Sequence, residues 1–283
     1  MKTIIMTLLT FTLIGVVSYR NASAQKLELK WKTDTLLRVP ESVLYDATKN
    51  ILYVACIDGK PDQKDGKGYI AKVQPNGKIE KLEWATGLDA PKGMGLYKNN
   101  LYVTDITRVD VIDVTTGKVT QKIEIEGTKF LNDITVDVKG NVYVSDSNMG
   151  KIFVLKNNKP ELYFESTDFK GINGLLALPD NSLYVLDFGS GANYKLSADK
   201  KLTKYTQTNQ GADGVVAVDK DTYLVSSWPG EIYYVNEQGQ AQKLLDTKDQ
   251  KISSADIEYD PKSKTLYVPT FFSNSVVAYT LVK

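Results

Sequence analysis

The chain contains no histidine, which removes the usual general base and the commonest transition-metal ligand, so Ser-His-Asp, Cys-His and His-zinc chemistries are excluded. What remains is a recurring set of carboxylates and amides. Asn132, Asn173, Asp213 and Asp256 each stand about eleven residues upstream of the same point in a repeated segment, with Glu41 displaced by one because its turn is longer. In the second repeat the position holds Pro91 followed by Lys92. Carboxylate and amide oxygens are hard ligands that suit Ca²⁺, and Mg²⁺ or Mn²⁺ less well. Asn and Asp also occur at strand starts because they bond their own backbone in turns. Four or five of them in register, each leading an apolar strand, point to a shared metal site.

The elements that must position these residues are strands. Six related segments recur at a spacing of about 40 residues: LYVAC at Leu52, LYVTD at Leu101, VYVSD at Val142, LYVLD at Leu183, YLVSS at Tyr223 and LYVPT at Leu266. Each lies between turn-rich breaks and further apolar strands with period-two alternation. Four antiparallel strands per repeat, six times, predict an all-β six-bladed β-propeller. The sixth repeat ends at Val276–Leu281 without a fourth strand, and Leu27–Lys32 resembles the outer-strand segment Lys78–Trp84 of the first repeat. The N-terminal segment is therefore expected to complete the last blade, closing the ring and removing an exposed sheet edge.

In this arrangement Glu41, Asn132, Asn173, Asp213 and Asp256 begin the innermost strands and converge on one mouth of the central channel. A second column, Asp105, Asp146 and Asp187 with Ser227 and Thr270, follows the repeated segment. It is expected at the opposite end, capping the next turn. The repeated tyrosines and the pair Phe271-Phe272 read as packing residues. The segment Asp58–Gly68 reads as a long surface hairpin loop, and its acidic residues lack the spacing of a calcium-binding loop.

Residues 1–24 combine a basic start, the apolar run Thr3–Val17 and Ala22-Ser23-Ala24, the pattern of a secretory signal peptide. A single propeller domain over residues 25–283, exported to the periplasm or secreted, is the expectation. Cys56 is the only cysteine, so no intramolecular disulfide can form. The formal net charge of +1 provides no basic field for nucleic acid. A monomer free of the membrane after leader cleavage is expected.

These residues resemble the SMP-30/gluconolactonase-like six-bladed propellers, which include calcium-dependent sugar lactonases and arylesterases. Val39-Pro40-Glu41-Ser42 with Tyr45-Asp46 is similar to the family's first-blade segment. Phe130-Leu131-Asn132-Asp133 is similar to its Asn-Asp motif, Ile172-Asn173-Gly174-Leu175 to its Asn-Gly-Leu motif, and Ala212-Asp213-Gly214-Val215 to its Asp-Gly motif. The resemblance implies that Glu41, Asn173 and Asp213 bind the metal, that Asn132 binds it or the substrate, and that Asp213 doubles as general base. Where the family's lactonases often carry an arginine, two residues before the Asn-Asp pair, this chain has Phe130 with Lys129 beside it. The family's Glu-Gly-Pro is Glu41-Ser42-Val43. The implied activity is metal-assisted hydrolysis of a lactone or related ester, a small-molecule substrate. Lys92 and Lys129 would hold an anionic group, and Asp256 would orient water or hold the ion through it. The rival is a non-enzymatic propeller that binds a protein or glycan, with the ion only fixing its channel.

Overall fold

The computed structural model describes residues 25–283; residues 1–24, and with them the expected leader, lie outside the described residues. Val, Ile, Leu and Tyr alternate with polar residues and are punctuated by Gly, Asn and Asp turns, and the result is six four-stranded antiparallel sheets. Their innermost strands are Pro40–Asp46, Pro91–Tyr97, Leu131–Val136, Ile172–Ala177, Ala212–Asp219 and Glu258–Asp260, which we number as blades 1 to 6. In blades 1 to 5 the strands follow in chain order from the centre outwards. Blade 6 combines Glu258–Asp260, Thr265–Pro269 and Val276–Val282 with Lys26–Lys32, which pairs antiparallel with Val276–Val282 and closes the ring. Among the described residues no helix is long and apolar enough to cross a membrane.

The core lies between blades rather than in one centre. Tyr53, Tyr184, Tyr223 and Tyr267, all from second strands, are fully buried, and Tyr267 packs among Leu52, Val54 and Ala71 of the neighbouring blade. The outer rim repeats a smaller device. Trp31 on the closing strand lies against Gly77 of blade 1, and Trp84 on the outer strand of blade 1 lies against Gly117 of blade 2. Gly77 and Gly117 both have positive φ (90° and 72°), a conformation that costs glycine least. Trp31 also donates its indole N–H to Pro75 O at 2.9 Å.

One irregularity sets the geometry of the centre. In blade 3 Leu131 faces Asp146 while Ile134 faces Val144, so three steps on the inner strand match two on its partner. The same extra residue recurs in blades 1, 2, 4 and 5. This is a β-bulge, which breaks the strict alternation of faces and re-aims side chains. Two successive residues of each inner strand thereby sit at the channel: Glu41-Ser42, Lys92-Gly93, Asn132-Asp133, Asn173-Gly174 and Asp213-Gly214.

Candidate metal and substrate site

The first residue of each bulge faces one mouth. Glu41, Lys92, Asn132, Asn173 and Asp213 are all less than a tenth exposed, and together they line the floor of a cleft of about 480 Å³. Blade 6 departs from the sequence alignment. Glu258 faces Tyr267 where Val216 faces Leu224 in blade 5, so Ala255, not Asp256, is the counterpart of Asp213. The reason is the hairpin turn. Blades 1 and 6 both use four-residue turns, between Asp46 and Ile51 and between Asp260 and Thr265, and each moves the floor residue one place further upstream. Glu41 consequently occupies the floor position in full structural register.

Asp256 belongs to the layer beneath. There its carboxylate accepts the Ser42 hydroxyl at 2.6 Å and burial pushes it up to about 7. Asp133 lies in the same layer and accepts the backbone N–H groups of Ile134 at 2.7 Å and Leu175 at 2.6 Å. With Glu258 these carboxyls line the lower part of the channel, a separate opening of about 360 Å³.

Hydrogen bonding in the floor leaves oxygens facing the cleft. Asn132 donates its amide nitrogen to Ser147 Oγ at 3.1 Å, and Asn173 donates its own to Asp213 Oδ1 at 3.0 Å. Both amide oxygens and Asp213 Oδ2 are thus free to accept, and Glu41 Oε2 is buried with no hydrogen-bond partner. A buried, unpartnered carboxylate oxygen is costly unless something positive or protonated meets it. Burial, and then the charges of Asp213 and Asp256, hold Glu41 well above the usual carboxylate range. Burial, Asp256 and Asp133 do the same for Asp213. Among the described residues no three His, Cys, Asp or Glu side chains form a metal cluster, so any ion here must draw on the amides too. Two carboxylates and two amide oxygens, with an orphaned oxygen among them, fit a hard divalent cation.

Lys92 is the one cation of the floor. Its ammonium donates to Ala90 O at 3.0 Å and lies 4.5 Å from the centre of the Phe130 ring, a cation–π contact. Burial pulls it down to about 8, against the raising influence of Glu41. Lys129 is exposed and lies outside the cleft lining, where Lys170 is found instead; its backbone N–H donates to Asp146 at 2.8 Å.

The second column also stands at this mouth, not at the far end. Strands one and two are antiparallel, so the end of the second lies beside the start of the first: Asp105 faces Pro91, Asp146 faces Leu131 and Asp187 faces Ile172. These buried carboxylates accept backbone N–H groups of the segment that leads into the inner strand, from Ala90 at 2.7 Å, Lys129 at 2.8 Å and Lys170 at 2.8 Å. Asp146 also accepts from Asn148 and Met149 in the following turn. Their role is to fix the loops that carry the floor residues.

Because the second strands end here, residues just past five of the six reach the mouth: Ile57, Ser147, Phe188 and Trp228 directly after their strands and Phe271 one place further on all line the cleft. That column was present in the sequence, offset by one from the aspartates. Pro61 brings the long Asp58–Gly68 loop over the same cleft.

No family profile and no curated protein matches the sequence. Solved structures do match its fold. A virginiamycin B lyase from Staphylococcus aureus with quinupristin is 14% identical, with 92% of this chain and 100% of the other covered and a TM-score of 0.66. A streptogramin B lyase is 12% identical over 91% of this chain and 98% of its own, with a TM-score of 0.68. A gluconolactonase from Xanthomonas campestris is 14% identical over 90% and 87%, with a TM-score of 0.64. At these identities the likeness establishes the shared six-bladed architecture.

Proposed function

We propose that the chain is an exported, monomeric, divalent-cation-dependent hydrolase of a lactone or related ester. The observation that carries this reading is the floor of the cleft, where two amide nitrogens are tied to protein acceptors and two carboxylates and two amide oxygens are left facing a ligand-sized opening. Glu41, Asn132, Asn173 and Asp213 would hold the ion, Ca²⁺ before Mg²⁺ or Mn²⁺. A cation bound there would supply Lewis-acid polarisation of the scissile carbonyl.

The chain's own residues do the rest. Asn173 orients the Asp213 carboxylate through its hydrogen bond to Oδ1, so that this carboxylate, at the edge of the ion site, would also accept a proton from the attacking water. The buried Lys92 ammonium, held against Phe130, places a positive charge beside the reacting group. The aromatic wall excludes bulk water, which strengthens both electrostatic effects. The gluconolactonase among the structural neighbours is consistent with chemistry of this class, and residues 1–24 have the composition of an export signal.

The test is calorimetric titration of Ca²⁺ into chelator-treated protein, wild type beside Asp213→Ala and Glu41→Ala, followed by a panel of lactones and aryl esters. The expected result is binding in wild type, its loss in both variants, and turnover only with the cation. Binding without turnover of any substrate would instead make the ion a structural plug of a non-enzymatic propeller. A wild type that binds no cation removes the metal site altogether.

A further inference from the structure

The walls of the cleft differ in kind from its floor. Phe130, Phe188, Trp228, Phe271, Phe272 and Ile57 surround the polar floor, and two of these are among the few large apolar side chains left open to solvent, Phe272 at 67% and Phe188 at 38%. Trp228, Phe271 and Phe272 stack edge to face, with ring centres 5.5, 6.0 and 4.8 Å apart. Of the three polar wall residues, Ser147, Asn148 and Lys170, two already bond protein acceptors. The Ser147 hydroxyl donates to Ile172 O at 2.5 Å, and the Lys170 ammonium donates to Thr167 O at 3.0 Å.

The placement of Phe272 is held by strained backbone. Phe271 has φ 48° and Asn274 φ 55°, in the left-handed region that non-glycine residues rarely occupy. Thr270 and Ser275 lock the two ends of this turn through side-chain and backbone bonds, and Asn274 Oδ1 accepts the Val39 N–H at 2.9 Å. The Phe271 ring is buried among Ile57, Ala90, Ile106 and Ala255, so the turn is anchored on one ring and thrusts the other to the rim. Strain of this kind persists where the surroundings over-determine it and is found at ligand clamps.

Resting on the hydrolase reading above, we propose that the Phe271-Phe272 turn is a specificity element. The substrate is a lactone or ester with an apolar substituent seated against Phe188, Trp228 and Phe272, and polyhydroxylated sugar lactones are rejected. A sugar's hydroxyls would lose water against these rings and find few free partners, whereas each buried methylene favours binding roughly fourfold.

Three δ-lactones that share one reacting ring test this: δ-valerolactone, δ-nonalactone with its alkyl tail, and glucono-δ-lactone. In the wild type with Ca²⁺, kcat/KM is expected to favour δ-nonalactone over δ-valerolactone by about tenfold or more, with glucono-δ-lactone the poorest. Phe272→Ser, at an exposed position, should lower kcat/KM for δ-nonalactone by a larger factor than for δ-valerolactone and so remove most of that preference, and Phe272→Leu should restore it. Equal use of glucono-δ-lactone, or an equal loss on all three lactones in Phe272→Ser, overturns the inference. Should no lactone be hydrolysed, quenching of indole fluorescence gives an independent reading, with Trp228→Phe as control. Saturable binding of δ-nonalactone but not of glucono-δ-lactone keeps the apolar site while the hydrolase reading falls; no binding of δ-nonalactone overturns the site itself.

Discussion

A single buried carboxyl shows how the channel responds to acid. Glu258 faces the lower channel, where solvent reaches it but protein walls it on every side, and burial raises it from the ordinary 4.5 to about 7. The backbone N–H groups of Tyr259 and Tyr45 oppose that rise without reversing it. The folded state therefore holds this proton more tightly than the unfolded chain does. Its contribution to stability is present in full below about pH 4.5 and is lost as pH rises through 7. Glu258→Gln carries no titrating proton and keeps only one of the two acceptor oxygens, so its Tm should vary less between pH 5 and 8 than that of wild type. Melting curves across that range decide it, and an unchanged slope would place the pH dependence on other groups.

At the scale of the strand, the bulge is the device on which the site depends. It turns two consecutive residues to the channel, and it needs the second of them to be small wherever a neighbouring backbone crosses. A Cβ on Gly174 would lie 2.2 Å from Asp213 O, a backbone atom that cannot move without opening the seam between blades 4 and 5. Gly174→Ala should cost roughly 2–4 kcal/mol in urea unfolding and weaken Ca²⁺ binding, because it shifts Asn173 relative to Asp213. Gly66→Ala, where a Cβ meets nothing within 4 Å, should cost only about 1 kcal/mol from its positive φ. The repeats made Asn132, Asn173 and Asp213 legible in the sequence, since each stands eleven residues before the matching residue of its second strand, Tyr143, Tyr184 and Leu224. Asp256 was misplaced because the Pro261–Lys264 turn is one residue longer, the same difference that displaces Glu41. The aromatic wall was hidden for another reason. Its residues follow the second strands, and only the antiparallel pairing shows that those strands end where the first ones begin.

Over the whole molecule, the likeness of Leu27–Lys32 to Lys78–Trp84 was enough to predict the closure of the ring, because Trp31 and Trp84 fill the same role against Gly77 and Gly117. That closure has a consequence for connectivity. Lys26 lies opposite Val282 in an antiparallel pair, so the two ends of the ring form a hairpin that lacks only its turn. A linker of a few residues could join them, and new ends could be cut in the exposed segment between Asp249 and Gln250 that leads from blade 5 to blade 6. In such a circular permutant all six blades are continuous in the chain. The Ca²⁺ titration should be unchanged, since no floor residue moves. Unfolding should be faster, because the first and last blades are then held together only by packing and no longer by a strand shared across the seam.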